Sequence, residues 1–247
     1  MQYAGGGAAG GQRAEAQPIP HHGVVLPDAY NHYAVGRAHA LCVPYQWTKQ
    51  IASHWGGTRN GTIVHWPKGI ADKGKTRNQF HHVIDVAPTI LEAAGLPAPQ
   101  IVNSIQQAPL EGVSMLATLR DGNAPETHTV QYFEMFGNRG IYHKGWTAVT
   151  KHRTPWLADQ PSLGDDVWEL YGPDDWTQAH NLAAENPAKL AELQRLRLIE
   201  ATKYNVIPLE DRSFERFDPD IAGRPQLIRG TSCCSPECGS AKTVFSH

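Results

Sequence analysis

The stretch "TVQYFEMFGNRGIYHKGWTAVTK", residues 129–151, decides the fold of the chain around it. Its β-branched and aromatic residues come in short runs that glycine-bearing segments interrupt, which is the pattern of strands joined by tight turns. We predict strands over residues 129–135, 141–145 and 146–151, with a turn at "GNRG", residues 137–140. Strands that follow one another this closely form a small antiparallel sheet.

The sequence beyond this stretch extends the sheet and covers it. "VWELYG", residues 167–172, predicts a further strand. A long amphipathic helix follows, with Asn186 as its N-cap and Pro187 opening its first turn. Its apolar stripe is predicted to hold Leu190, Leu193, Leu196, Ile199 and Ala201. We expect this helix to lie on one face of the sheet.

The sequence before the quoted stretch alternates strand and helix signals. "TIVHWP", residues 62–67, predicts a short half-buried strand ended by its proline. A helix follows in which Asp85 caps the start, Pro88 lies in the first turn and Gly95 supplies the left-handed end. "EGVSMLATLRDGN", residues 111–123, predicts a shorter helix. This alternation is typical of the trailing half of an α/β domain.

We therefore divide the chain into four segments. Residues 29–126 form the trailing part of the α/β domain, and residues 127–229 form the small-sheet and helix subdomain. Residues 1–28, rich in glycine and alanine, are predicted to be a flexible lead-in. Residues 230–247 are predicted to be an unrelated, disordered tail, because their three cysteines lack histidines at zinc-ligand spacing.

Composition excludes several classes of function. The 247 residues include 40% hydrophobic and 19% charged residues, with a formal charge of −2 and a pI near 6.7. This balance argues against a dedicated binder of nucleic acid or anionic membranes. No apolar run approaches the roughly 18 residues of a membrane span, and the start lacks the features of a secretory signal. We therefore expect a cytoplasmic chain.

The segment "WTKQIASHWGGTRNG", residues 47–61, holds the candidate anion-binding residues. Lys49 presents a point charge suited to a sulfate or phosphate oxygen, and His54 is a candidate donor to the same anion. The pair Gly56 and Gly57 permits a tight turn whose backbone approaches a ligand closely. Arg59 either contacts the anion or holds the loop. The alternative remains open that these residues are ordinary solvated charges beside a glycine turn.

Other titratable groups are weaker candidates for a metal site. The pairs Asp165-Asp166 and Asp174-Asp175 present oxygens suited to calcium, but their place beside "VWELYG" favours loop capping. The adjacent histidines at residues 21–22 and 81–82 point in different directions on a helix or strand, so neither pair is a ready-made metal site. We name no metal ligand in this chain.

Several blocks, taken in order, resemble the type I sulfatases, and the bacterial arylsulfatases above all. They are the Lys49 segment, "FHHVIDVAPTILEAAGL", "EGVSM", "YFEMFGNRGIYHKGWTAV" and "WELYGPDDWTQAHNLAAENPAKLAEL". Together they extend over residues 30 to 229. The resemblance implies an alkaline-phosphatase-like mixed sheet with helices, of which this chain carries the C-terminal part. It also implies the hydrolysis of sulfate esters by a formylglycine nucleophile and a calcium ion, with Lys49 at the position of a sulfate-binding lysine.

The chain departs from the family's pattern at its most reactive residues. Formylglycine arises in a C-x-P-x-R motif, and "CVPYQ", residues 42–46, carries Gln46 where the arginine belongs. Nothing before Lys49 matches the family's aspartate ligands of calcium. We therefore expect a truncated, weakly stable and inactive fragment. It is expected to hold no catalytic residue and an incomplete calcium and formylglycine site. Its candidate partner is an N-terminal sulfatase piece that completes the site. Two alternatives remain: a non-catalytic anion-binding or complementing module, and another hydrolase of the alkaline phosphatase superfamily.

Overall fold

The computed structural model describes residues 34–154 and 161–209. The predicted lead-in, the predicted tail with its three cysteines, and His21-His22 lie outside these residues. The helices are α1 (Val35–Cys42), α2 (Trp55–Thr58), α3 (Val86–Ala93), α4 (Leu116–Arg120) and α5 (Pro187–Lys203). The strands are β1 (Ile101–Val102), β2 (Ile105–Gln106), β3 (Val130–Met135), β4 (Asn138–His143), β5 (Trp146–Thr150) and β6 (Glu169–Tyr171).

Strands β3 to β6 form a four-stranded antiparallel sheet in chain order. The β3–β4 turn consists of Phe136 and Gly137, at φ 56° and 82°. The predicted turn over residues 137–140 was therefore wrong, because Asn138, Arg139 and Gly140 already pair in β4. A two-residue turn with positive φ at both positions matches the right-handed twist of the flanking strands, and this geometry sets the register.

Helix α5 covers this sheet. Leu193 of α5 packs with Ile141, Ala148 and Leu170 in a fully buried core. The predicted apolar stripe was wrong at Ile199, whose surface is 62% exposed. The buried face continues instead through Arg197 to Ala201, because residues four apart lie on one side of a helix. Asn186 and Pro187 open the helix as predicted, although the Asn186 side chain makes no capping hydrogen bond.

The residues before the sheet form short helices and loops. A 3₁₀ turn (Val83–Asp85) leads into α3, and Gly95 ends that helix at φ 67°, as predicted. The predicted strand over residues 62–67 was wrong: the chain there is irregular, and Ile63 is 97% exposed. A strand needs a neighbouring edge to satisfy its backbone, and no described strand lies alongside this segment.

The mixed α/β class is confirmed, as is the small antiparallel sheet with its covering helix. The segment boundaries stay predictions. Among the described helices, none combines the length and the apolar character that a bilayer crossing demands. The cytoplasmic location also stays a prediction.

Candidate functional site: the Lys49 loop

The Lys49 loop, residues 46–58, connects α1 to the end of α2 and presents Lys49 to solvent. Within the described residues, Lys49 has no protein partner for its ammonium group. On either side of it, Trp47 and Gln50 adopt positive φ values of 64° and 78°. Such conformations are unfavourable for residues with a side chain, and they persist where surrounding structure enforces them. The loop is therefore held in one defined shape.

The glycines of the loop are needed for close packing of the chain on itself. A Cβ atom on Gly56 would lie 2.1 Å from the Trp47 carbonyl oxygen, and one on Gly57 would lie 2.1 Å from that of Ile51. The Gly56 N–H donates to the Gln46 carbonyl at 3.0 Å. The close approach predicted for a ligand is thus made by the loop's own backbone.

His54 lies in the interior beneath the loop, with 0% of its surface exposed. Its Nδ1 is 2.9 Å from the Ser53 hydroxyl, and its Nε2 donates to the Glu169 carboxylate at 3.1 Å. The hydrogen bond from His54 lowers the pKa of Glu169, against the opposing effect of burial. Both ring nitrogens are thus engaged with protein groups. The role of His54 as an anion ligand stays a prediction.

Arg59 anchors the end of the loop. Its guanidinium donates to the Trp176 carbonyl at 3.3 Å and lies 5.4 Å from the Tyr45 ring centre and 5.7 Å from that of Trp55. Of the two predicted roles, the geometry matches the one in which Arg59 holds the loop.

Two buried amides of the later sequence fix the loop backbone. Asn138 donates from Nδ2 to the Gln50 carbonyl at 3.2 Å. Gln178 accepts from the Trp55 N–H at 2.7 Å and donates to the Thr147 hydroxyl at 3.1 Å. Sequence reasoning missed Asn138, Glu169 and Gln178 as partners of this loop. No local pattern reveals them, because they lie 88, 115 and 123 residues from their partners.

The aspartate pairs bind protein donors. The buried carboxylate of Asp166 lies 2.5 Å from the Arg139 guanidinium and 2.9 Å from Nδ1 of His152. Asp175 accepts from the backbone N–H groups of Ala179 and His180, and these bonds help to keep its pKa low. Asp175 makes the loop-capping contacts that the sequence favoured, whereas Asp166 binds two side chains instead. Among the described residues, no group of three histidine, cysteine, aspartate or glutamate side chains is arranged to hold a metal ion.

A second buried polar cluster centres on Asp85. Its carboxylate accepts from His128 Nδ1 and from the backbone N–H groups of His82 and Val113, all at 2.8 Å. Burial lowers the pKa of both His81 and His82. Asp85 therefore joins α3 to the start of the sheet. Its side chain caps the 3₁₀ turn that precedes α3, and it makes no capping hydrogen bond to α3 itself.

A broad cleft of about 1940 Å³ lies beside the Lys49 loop. Trp55, Arg59 and Tyr142 contribute to its lining, whereas Lys49 and His54 do not. The exposed Lys49 is thus not part of the lining of this cleft.

Comparison with known families identifies the segment that holds the loop. Residues 32–96 match the family model described as Sulfatase, so the resemblance seen in the sequence is confirmed for this segment. This segment, which includes Lys49, is therefore similar to the sulfatase family.

Individual proteins give weaker likenesses. A structure of BT4656 with its substrate D-glucosamine-2-N,6-O-disulfate matches at 22% identity and a TM-score of 0.43, over 59% of this chain and 28% of that one. A structure from work on glycosaminoglycan metabolism by Bacteroides thetaiotaomicron (BT33336S-sulf) matches at 21% identity and 0.45, over 62% and 31%.

Likeness to a curated protein covers part of the chain. That protein is the 1-deoxy-D-xylulose-5-phosphate synthase of Lawsonia intracellularis (strain PHE/MN1-00), at 26% identity over 123 residues. The match covers 49% of this chain and 18% of that protein. The chain thus spans less than a fifth of this curated relative and about 30% of the two solved chains.

Proposed function

We propose that this chain carries the sulfate-contacting loop of a sulfuric ester hydrolase, with Lys49 as a ligand of a sulfate oxygen. The observation that carries the proposal is an exposed lysine between two left-handed residues in a loop that buried partners hold in place. Strained backbone of this kind is concentrated at functional sites. The family match over residues 32–96, which includes Lys49, supports the same assignment.

The chain alone is proposed to be inactive. By resemblance, catalysis needs a formylglycine and a calcium ion, and the sequence offers no complete C-x-P-x-R motif to provide the first. Gln46, at the motif's arginine position, donates instead to the Gln178 carbonyl and thereby serves the fold. Enzymes typically lower the activation free energy of their reaction by about 8 kcal/mol or more. A single ammonium group supplies only a small part of that.

Sulfate binding tests the role of Lys49. We expect Lys49→Gln to weaken the binding of an aryl sulfate by about ten- to a hundredfold, because a charge-assisted contact contributes roughly 1.5–3 kcal/mol. Titration calorimetry is the measurement. Lys68→Gln removes the same charge from another exposed position and is the matched control. Equal affinity in the Lys49 and Lys68 variants would refute the assignment.

Turnover tests the proposed inactivity. A chromogenic aryl sulfate incubated with the chain and calcium should remain unhydrolysed. Turnover that Lys49→Gln abolishes would show that the chain contains a complete site and would overturn this part of the proposal.

A complementing module is the second candidate function, and exposed apolar side chains support it. Val83 and Ile90, beside and on α3, are 73% and 61% exposed, and Ile101 of the β1–β2 hairpin is 68% exposed. Exposed apolar groups of this kind are typical of surfaces that meet a partner. Co-purification with an N-terminal sulfatase piece carrying C-x-P-x-R tests the idea. Ile90→Glu should prevent it, and a Leu198→Glu variant, altered on α5, should not.

A further inference from the structure

The geometry points to Glu169 as a positioning residue of the Lys49 loop, acting through His54. This inference rests on the proposed sulfate contact of Lys49 and concerns what fixes that lysine in place. Glu169 opens β6, where it pairs with Val149 of β5. Its carboxylate is thus attached to the sheet, 115 residues along the chain from His54.

The carboxylate joins the loop to the sheet at a defined point. It accepts from His54 Nε2 at 3.1 Å, and the Tyr171 hydroxyl donates to the same oxygen. The Gln46 amide lies 3.4 Å from that hydroxyl. Gln46 and His54 flank Lys49, so this chain of polar groups connects both sides of the lysine to β6.

The burial of His54 explains why a carboxylate, that of Glu169, stands opposite its Nε2. The ring is fully buried, and its other nitrogen faces the Ser53 hydroxyl at 2.9 Å. A carboxylate that accepts from Nε2 fixes the proton on that nitrogen and leaves Nδ1 to accept from Ser53. Without the carboxylate, a buried ring nitrogen loses its partner, which disfavours the closed loop.

Asn138 and Gln178 contact backbone groups of the loop, whereas Glu169 contacts the side chain of His54. Lys151, directly after β5, lies 5.0 Å from the centre of the Trp47 ring and also helps to lower the pKa of Glu169. The side chains of His54, Trp47, Lys151 and Glu169 therefore form one packed layer between the loop and the sheet. Glu169 is the member of this layer that carries negative charge.

Hydrogen exchange of the loop amides tests the inference. Glu169→Leu removes the acceptor, and we expect the amides of Gly56 and Gly57 to exchange at least tenfold faster while those of β3–β5 keep their rates. Glu169→Gln retains an acceptor oxygen and should restore most of the protection. Glu192→Gln, which alters an exposed carboxylate on α5, is the matched control and should change nothing.

Two further measurements make the result specific to positioning. Nitrogen NMR should show His54 with its proton on Nε2 in the native chain and in Glu169→Gln, and a mixture of tautomers in Glu169→Leu. Sulfate affinity should fall severalfold in Glu169→Leu and recover in Glu169→Gln.

Unchanged loop exchange in Glu169→Leu, or a loosened loop with unchanged sulfate affinity, overturns the inference. If Glu169→Leu fails to fold, a single Nε2 tautomer and native loop exchange in Glu169→Gln uphold it, and their loss overturns it. If the native chain binds no sulfate, the role proposed for Lys49 fails. The exchange comparison then still decides whether Glu169 positions the loop.

Discussion

Gly56→Ala gives the most direct test of how the Lys49 loop is built. The added Cβ would lie 2.1 Å from the Trp47 carbonyl oxygen and 2.3 Å from the Gln46 carbonyl oxygen. Both neighbours are backbone atoms, so the two segments must separate. Overpacking of this kind costs about 1–3 kcal/mol, and loss of the Gly56–Gln46 hydrogen bond adds about 1 kcal/mol. The free energy of unfolding should therefore fall by about 2–4 kcal/mol.

Urea unfolding followed by tryptophan fluorescence measures this change, because Trp55 is buried beside the substitution. Gly36→Ala is the matched control: it lies in α1 with no atom within 4 Å of the new Cβ. That substitution should raise stability by about 0.5 kcal/mol, since alanine suits a helix better than glycine. If Gly56→Ala is as stable as Gly36→Ala, the loop does not have the packing described here.

Other predictions concern the core and the response to pH. Leu193→Ala should cost about 2–5 kcal/mol of unfolding free energy, against less than about 1 kcal/mol for the half-exposed Leu198→Ala, measured in urea. Burial lowers the pKa of His82 below 6.5, so the unfolded chain takes up a proton before the folded chain does as the pH falls. The free energy of unfolding should therefore fall as the pH drops from 6.5 through the lowered pKa, and it should fall less in His82→Gln. Burial raises the pKa of Tyr132 from 10 to about 12, so stability present below pH 10 should be lost as pH rises toward 12, with tyrosinate absorbance appearing on unfolding. Titration of Tyr132 near pH 10 in the folded protein would contradict this account.

Residues close in sequence made the sheet and α5 predictable. Strand periodicity located the β3–β5 region, and Pro187 located the start of α5. The turn position was missed because a positive φ at Phe136 is uncommon for an aromatic residue. Ile199 was misplaced because its apolar side chain suggested burial, whereas the helical repeat places Arg197 on the covered face.

The candidate site was predictable only in part. The glycine pair and the lysine identified the loop, because both are local features of residues 47–61. The partners of the loop, Asn138, Glu169 and Gln178, are distant in sequence. They are common polar residue types, so nothing in the sequence marks them as buried hydrogen-bond partners. The burial of His54 illustrates this difficulty: its partner Glu169 lies 115 residues further along the chain, and no spacing within the loop encodes that contact.

The long separation between the loop and its partners has a consequence for synthesis of the chain. Gln178 follows Trp55 by 123 residues, and Glu169 follows His54 by 115. A ribosome that has just released the Lys49 loop must therefore produce the whole sheet before the loop can close. During that interval the positive φ values at Trp47 and Gln50 are held only by contacts within the loop, so we expect the nascent loop to be a target for proteases and chaperones. Only when β6 and the turn after it are complete can Glu169 and Gln178 contact the loop.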